Sequence, residues 1–162
     1  MRASPRVRIP GPSYAIELVF AAPLAFSYRW CTDFSPQDAE LEGEQYTRKV
    51  ISRKARRVVY EDLRETKDGY LWAHMDVTLR PPNRWHVESV GSHRIIRGDY
   101  QLSSLGPERT LFQQRWRRKS TPLTKVKMTK AERENSTRGM WKKFGRALER
   151  DYQRSQRSTR PD

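Results

Sequence analysis

Six stretches of alternating apolar and polar residues, at 45–54, 57–66, 70–79, 84–91, 94–103 and 109–119, follow one another with connections of two to five residues. Parallel strands need a crossover of a dozen or more residues, so connections this short allow only antiparallel neighbours. Lys67-Asp68-Gly69, Pro81-Pro82-Asn83, Gly91-Ser92 and Leu105-Gly106-Pro107 supply the turns. A seventh run turns Tyr14, Ile16, Leu18 and Phe20 to one side. Ala22-Pro23 ends that run, and proline suits the first turn of a helix. Residues 23–32 (PLAFSYRWCT) then carry Leu24, Tyr28 and Cys31 at helical spacing, which predicts a short helix. The segment DFSPQDAELEG that follows is polar and turn-rich.

The last element is helical. Met140, Trp141, Phe144, Ala147, Leu148 and Tyr152 share one face at ~100° per residue, and Arg138, Lys142, Arg146 and Arg150 share the other. Thr129 and Glu132 fit a capping box at its start, with Ser136 or Thr137 as the alternative start. Residues 1–13 are expected to form a flexible basic arm, 14–152 a single domain, and 153–162 a frayed basic tail.

Of the net charge of +14, a surplus of eleven lies between Arg115 and Asp162. A basic region of this kind attracts nucleic acid, an anionic membrane surface or an acidic protein. The residues that would carry it are Arg117, Arg118, Lys119, Lys125, Lys127, Lys142, Lys143, Arg146 and Arg150. No apolar run approaches the ~18 residues of a membrane span. The opening MRASPRVRIPGPS has no apolar signal core, and Cys31 is the sole cysteine, so a cytoplasmic home is the expectation.

Pairing 70–79 with 84–91 across the proline turn sets Asp76 opposite His86, His74 opposite Glu88, Met75 beside Val87 and Val77 beside Trp85. Extending to the next strands sets His86 opposite Asp99, Glu88 opposite Arg97, Trp85 opposite Tyr100, Asp99 opposite Arg115 and Gly98 opposite Trp116. Every apolar position falls on one face and unlike charges meet on the other, each such pair contributing ~0.2–1 kcal/mol. His74, Asp76, His86 and Glu88 have the chemistry of a zinc-type site. A wet outer face gives such a site no water-excluding pocket, so the array reads as a charged ladder, with neither metal nor cofactor.

The order strand, VFAAPLAFSYRWCTDF (19–34), six-stranded meander with LRPPNRWHVESVG (79–91) and GDYQL (98–102), then MWKKFGRALERDY (140–152), resembles the helix-grip superfamily. That group includes START lipid-transfer domains, birch-pollen-allergen-like proteins and polyketide cyclases/dehydrases. The resemblance implies an α+β fold in which a curved antiparallel sheet of about seven strands wraps the C-terminal helix around an apolar ligand cavity. It implies a cavity wall of Val50, Met75, Trp85, Val87, Ser89, Tyr100, Phe112, Gln114 and Trp116 from the sheet. Met140, Trp141, Phe144 and Leu148 would come from the helix. Arg48 and Glu61 are further inward candidates, and large aromatics such as Trp85 and Trp116 leave the cavity little room.

The expected function is binding or carriage of a small apolar or aromatic ligand or lipid. The alternatives are a cyclase/dehydrase-like enzyme, with Tyr100 or Glu61 as the acid or base, and polyanion binding through the basic C-terminal third. No Ser/His/Asp set, phosphate-binding glycine loop or metal-spaced Cys/His cluster points to another enzyme class.

Overall fold

The alternating runs become one sheet and the amphipathic run one long helix in the computed structural model, which describes residues 9–43, 45–124 and 126–159. The elements are β1 (Ser13–Phe20), α1 (Leu24–Cys31), α2 (Asp38–Glu42), β2 (Thr47–Lys54), β3 (Arg57–Thr66), β4 (Gly69–Arg80), β5 (Arg84–Gly91), β6 (Arg94–Gly106), β7 (Arg109–Ser120) and α3 (Lys130–Ser158). The seven strands pair antiparallel in the order β1-β7-β6-β5-β4-β3-β2. Each of β2 to β7 therefore lies beside its chain neighbour, while β1 closes onto β7. Irregularities at Val50/Ser52 and Ser104/Gly106 disrupt the ladder locally and help the sheet bend.

The concave face carries the core. Val58, Val77, Leu102, Phe112 and, from α3, Leu148 are wholly excluded from solvent. α3 starts where the sequence signals it: the Thr129 hydroxyl accepts the Glu132 N–H, and the Glu132 carboxylate accepts the Thr129 N–H. α1 begins at Leu24, directly after Pro23, as the Ala-Pro signal predicts. Its Trp30 indole donates to Asp151 at 2.9 Å, tying α1 to the C-terminal part of α3.

Several sequence expectations need correction. The β4–β5 register is displaced by two residues: Asp76 stands opposite Glu88, Thr78 opposite His86, Met75 opposite Ser89 and Val77 opposite Val87. Neither proline of the turn can donate to a ladder, so Pro81, Pro82 and Asn83 all lie in the loop and pairing begins at Arg80 with Arg84. The β5–β6 and β6–β7 pairings expected from the sequence are observed. α3 continues to Ser158, so residues 153–158 are helix rather than frayed tail.

The polar segment after α1 contains the five-residue α2, closed by Gly43 at a φ of 69°. Val50 shares a face with Tyr60 but is 38% exposed, because β2 is the sheet edge farthest from β1. Glu61 is exposed, alternating away from the buried Tyr60. The first eight residues of the expected basic arm lie outside the described residues. Ile9, in the remainder, is buried, and the Gly11 carbonyl accepts a hydrogen bond from Arg117.

Candidate functional site

Period-two alternation on four adjacent strands turns Met75 (β4), Trp85, Val87 and Ser89 (β5), Tyr100 (β6), and Phe112, Gln114 and Trp116 (β7) toward α3. Met140, Trp141, Phe144 and Leu148 face them from the helix. All of these are buried or partly buried. Much of the space between is filled by aromatic rings. Trp85 stacks on Tyr100 at 4.9 Å, Trp141 packs on Phe112 at 4.2 Å, and Tyr14 stacks on Trp116 at 5.3 Å. Coverage is incomplete at Met75, Ile96, Tyr100 and Met140, each only partly buried against the core. Gly98 serves this region, since a Cβ there would stand 3.2 Å from the Tyr100 ring. The Gly-Asp-Tyr order therefore carries a packing signal that strand periodicity alone does not show.

Of the inward polar groups, Gln114 reaches Tyr100 and Ser89 reaches Met75. Gln114 Nε2 donates to the Tyr100 hydroxyl at 3.1 Å, as the neighbouring register predicts. Ser89 Oγ is directed to the Met75 sulfur at 3.2 Å. Gln114 Oε1 and Trp141 Nε1 are buried and have no hydrogen-bond partner among the described residues. Both belong to side chains that meet Tyr100, Gln114 by its hydrogen bond and Trp141 by ring contact at 6.1 Å. Burial pushes the Tyr100 phenol well above the ordinary tyrosine range.

A second buried polar cluster lies at the β2 side. Arg48, 4% exposed in its side chain, forks onto Asp62 through Nε at 2.8 Å and Nη2 at 2.9 Å, and its Nη1 also meets Asp38 of α2. Tyr60 lies under the guanidinium at 4.3 Å. Burial raises the Asp38 carboxyl to about 6 despite the Arg48 charge, which lowers it. Arg48 was expected to face inward; Asp38 and Asp62 were not expected to meet it. The signal for Asp62 is the β2–β3 register, which sets it directly opposite Arg48.

On the outer face the ladder keeps the expected His86–Asp99 and Glu88–Arg97 pairs, while His74 and Asp76 take other partners. His74 Nδ1 lies 3.1 Å from Glu61, Arg57 forks onto Asp76, and His86 Nδ1 lies 2.8 Å from Asp99. The basic residues of the C-terminal third divide among several surfaces. Lys142, Lys143, Arg146 and Arg150 are exposed on α3, while Arg117 and Lys119 are exposed on β7. Arg118 follows the inward parity of Trp116 and is partly buried, Lys127 lies in the loop before α3, and Lys125 lies outside the described residues. Two clefts flank α3. One of about 170 Å³ lies against β1, lined by Leu18, Val19, Trp141 and Arg146, and one of about 400 Å³ lies near Tyr152 and Glu108.

No protein-family model and no curated protein sequence matches the chain. Solved structures do. A Thermus thermophilus protein superposes with a TM-score of 0.66 at 15% identity, over 85% of this chain and 97% of that one. The Zhui aromatase/cyclase of Streptomyces sp. R1128 gives 0.64 at 12%, over 88% and 94%. A START superfamily protein from Mycobacterium smegmatis gives 0.64 at 14%, over 89% and 99%. The fold is the START-like helix-grip. In this helix-grip the inward aromatic residues of sheet and helix pack against one another. Among the described residues no helix is long and apolar enough to cross a membrane.

Proposed function

We propose that the protein binds a small apolar or aromatic molecule between the sheet and α3, with Tyr100, Gln114 and Trp141 meeting the molecule's polar end. The observation that carries this reading is the pair of orphaned atoms, Gln114 Oε1 and Trp141 Nε1, on two side chains that meet Tyr100. Buried polar groups are nearly always hydrogen-bonded, and leaving one unmet costs ~1–3 kcal/mol. A ligand with both a donor and an acceptor would satisfy the carbonyl oxygen and the indole N–H together. Met75 and Met140, each partly buried against the core, are adaptable partners for an apolar body. Convergent polar groups in an apolar concavity are the usual means of orienting a small ligand.

The raised Tyr100 phenol keeps its proton at neutral pH. That makes it a hydrogen-bond donor, and in the cyclase/dehydrase alternative a general acid, rather than a base. The test is incubation with a cell extract of lipids and metabolites, followed by native mass spectrometry. One small molecule should stay bound to the wild type and be lost from Gln114→Met. Retention of nothing by the wild type overturns the reading.

A further inference from the structure

Three guanidinium groups crowd one corner of the concave face. Arg94 stands opposite Ser120 and Ile96 opposite Arg118, so Arg94 and Arg118 are diagonal neighbours on the same face of the β6–β7 pair. The parity that turns Gln114 and Trp116 inward turns Arg118 inward too. Arg133, in the first turn of α3, lies over the Tyr14 ring at 5.9 Å, and Tyr14 stacks on Trp116, two residues before Arg118. A hydrogen bond of 3.0 Å from the Ala15 N–H to Glu134 holds that helical turn at the start of β1.

These arginines lack the carboxylate partners that Arg48, Arg57 and Arg97 have, although two of them are partly buried. Arg48 has Asp38 and Asp62, and Arg57 has Asp76. No carboxylate pairs with Arg94, Arg118 or Arg133 among the described residues, and the Nε atoms of Arg118 and Arg133 are buried without a hydrogen-bond partner. The adjacent acid, Glu134, is taken by the Ala15 N–H and lies 4.0 Å from Lys130. Burial, then the charges of Arg133 and Arg94, pull the Arg118 guanidinium down to about 10. Arg94 is also close enough to Tyr100 for its charge to ease ionisation of the phenol, so this corner adjoins the polar centre of the proposed site. Arg118 and Arg133 are partly buried and Arg94 is exposed at the rim. Crowded, partly desolvated arginines are costly alone, and a planar oxyanion satisfies such forks two bonds at a time.

We propose that Arg94, Arg118 and Arg133 bind the oxyanion head, a carboxylate, sulfonate or phosphate, of the amphipathic ligand whose apolar body lies on the concave face. This rests on the binding reading above and narrows it to anionic amphiphiles.

Two fluorescent dyes with one aromatic skeleton test it: 8-anilino-1-naphthalenesulfonate, which is anionic, and N-phenyl-1-naphthylamine, which is neutral. The full chain should bind the sulfonate about tenfold more tightly than the neutral dye. Arg118→Gln should remove that advantage and leave neutral-dye affinity unchanged. Lys54→Gln, which deletes an exposed charge at the β2–β3 turn, should change neither. Relief of charge crowding should leave Arg118→Gln at least as heat-stable as the wild type, separating lost binding from lost folding. Equal affinities for the two dyes with no effect of Arg118→Gln overturn the oxyanion proposal and leave the concave-face reading standing. Equal weakening of both dyes by Arg118→Gln, or equal loss of the sulfonate in Lys54→Gln, also overturns it. Binding of neither dye overturns the concave-face reading, and this proposal falls with it.

Discussion

The Glu149 carboxylate accepts the backbone N–H of Ala21 at 2.8 Å. Fifteen residues earlier on the same helix, Glu134 does the same for Ala15 at 3.0 Å. β1 is an edge strand, and the side away from β7 has no strand to receive its N–H groups. α3 therefore meets that edge with a carboxylate near each end of β1. Such contacts limit edge-to-edge pairing with other chains, a standing hazard of uncovered strands.

Glu149→Ala and Glu134→Ala should each cost about 1 kcal/mol of stability, the usual net value of one hydrogen bond. The two sites stand fifteen residues apart on α3, about 22 Å along the helix, and share no partner, so the double variant should lose close to the sum. Urea unfolding checks both points. A double variant as stable as the wild type would show that these contacts do not hold the helix to the edge.

Two glycines of α3 should respond oppositely to alanine. At Gly139 a Cβ would meet nothing within 4 Å, so Gly139→Ala should stabilise by about 1 kcal/mol through helix propensity alone. At Gly145 a Cβ would stand 3.0 Å from the ring of Phe20, which is 2% exposed. Gly145→Ala carries the same propensity gain against an overpacking cost of about 1–3 kcal/mol, so net destabilisation is expected. Thermal melts of the two variants decide it.

Asp38 supplies a pH test. Its folded pKa, about 6, lies above its ordinary value of 3.8, so the folded state binds the proton more readily than the unfolded chain. Its stabilising contribution is complete below pH 4 and is lost as pH rises through 6. Asp38→Asn should remove that part of the pH dependence and exceed the wild type by about 2 kcal/mol at pH 7.5, while matching it near pH 4. Denaturation curves at both pH values measure the difference. Arg48→Ala, by contrast, should cost about 3–5 kcal/mol, because it strands Asp38 and Asp62 together.

Gln114 separates stability from binding. Gln114→Met removes a buried oxygen that has no partner and also the hydrogen bond to Tyr100, so the two effects offset and the unliganded protein should change by less than about 1 kcal/mol. The same variant should lose the small molecule retained by the wild type. A destabilised variant that still binds would assign Gln114 to the core alone.

Strands, faces and helix start were legible in the chain itself. Trp85 with Tyr100, Asp99 with Arg115 and Tyr100 with Gln114 follow from alternation and short turns, and each pair is observed. The capping box at Thr129 is local chemistry and needed no tertiary information. The β4–β5 register was not legible, because a shift of two residues keeps every side chain on its face and the hydrophobic pattern cannot tell the two apart. The proline-rich turn settled it. Asp38 escaped notice because its partner is ten residues away on another element.

The sequence by itself determined that a bent antiparallel meander turns its apolar side to a C-terminal amphipathic helix, since period and turn length are properties of neighbouring residues. Only the tertiary structure decided how much of that apolar side is filled by its own aromatic rings, and which polar atoms are left there without partners. Those outcomes depend on summed side-chain volumes and on distances between residues far apart in the chain, and no local pattern encodes either.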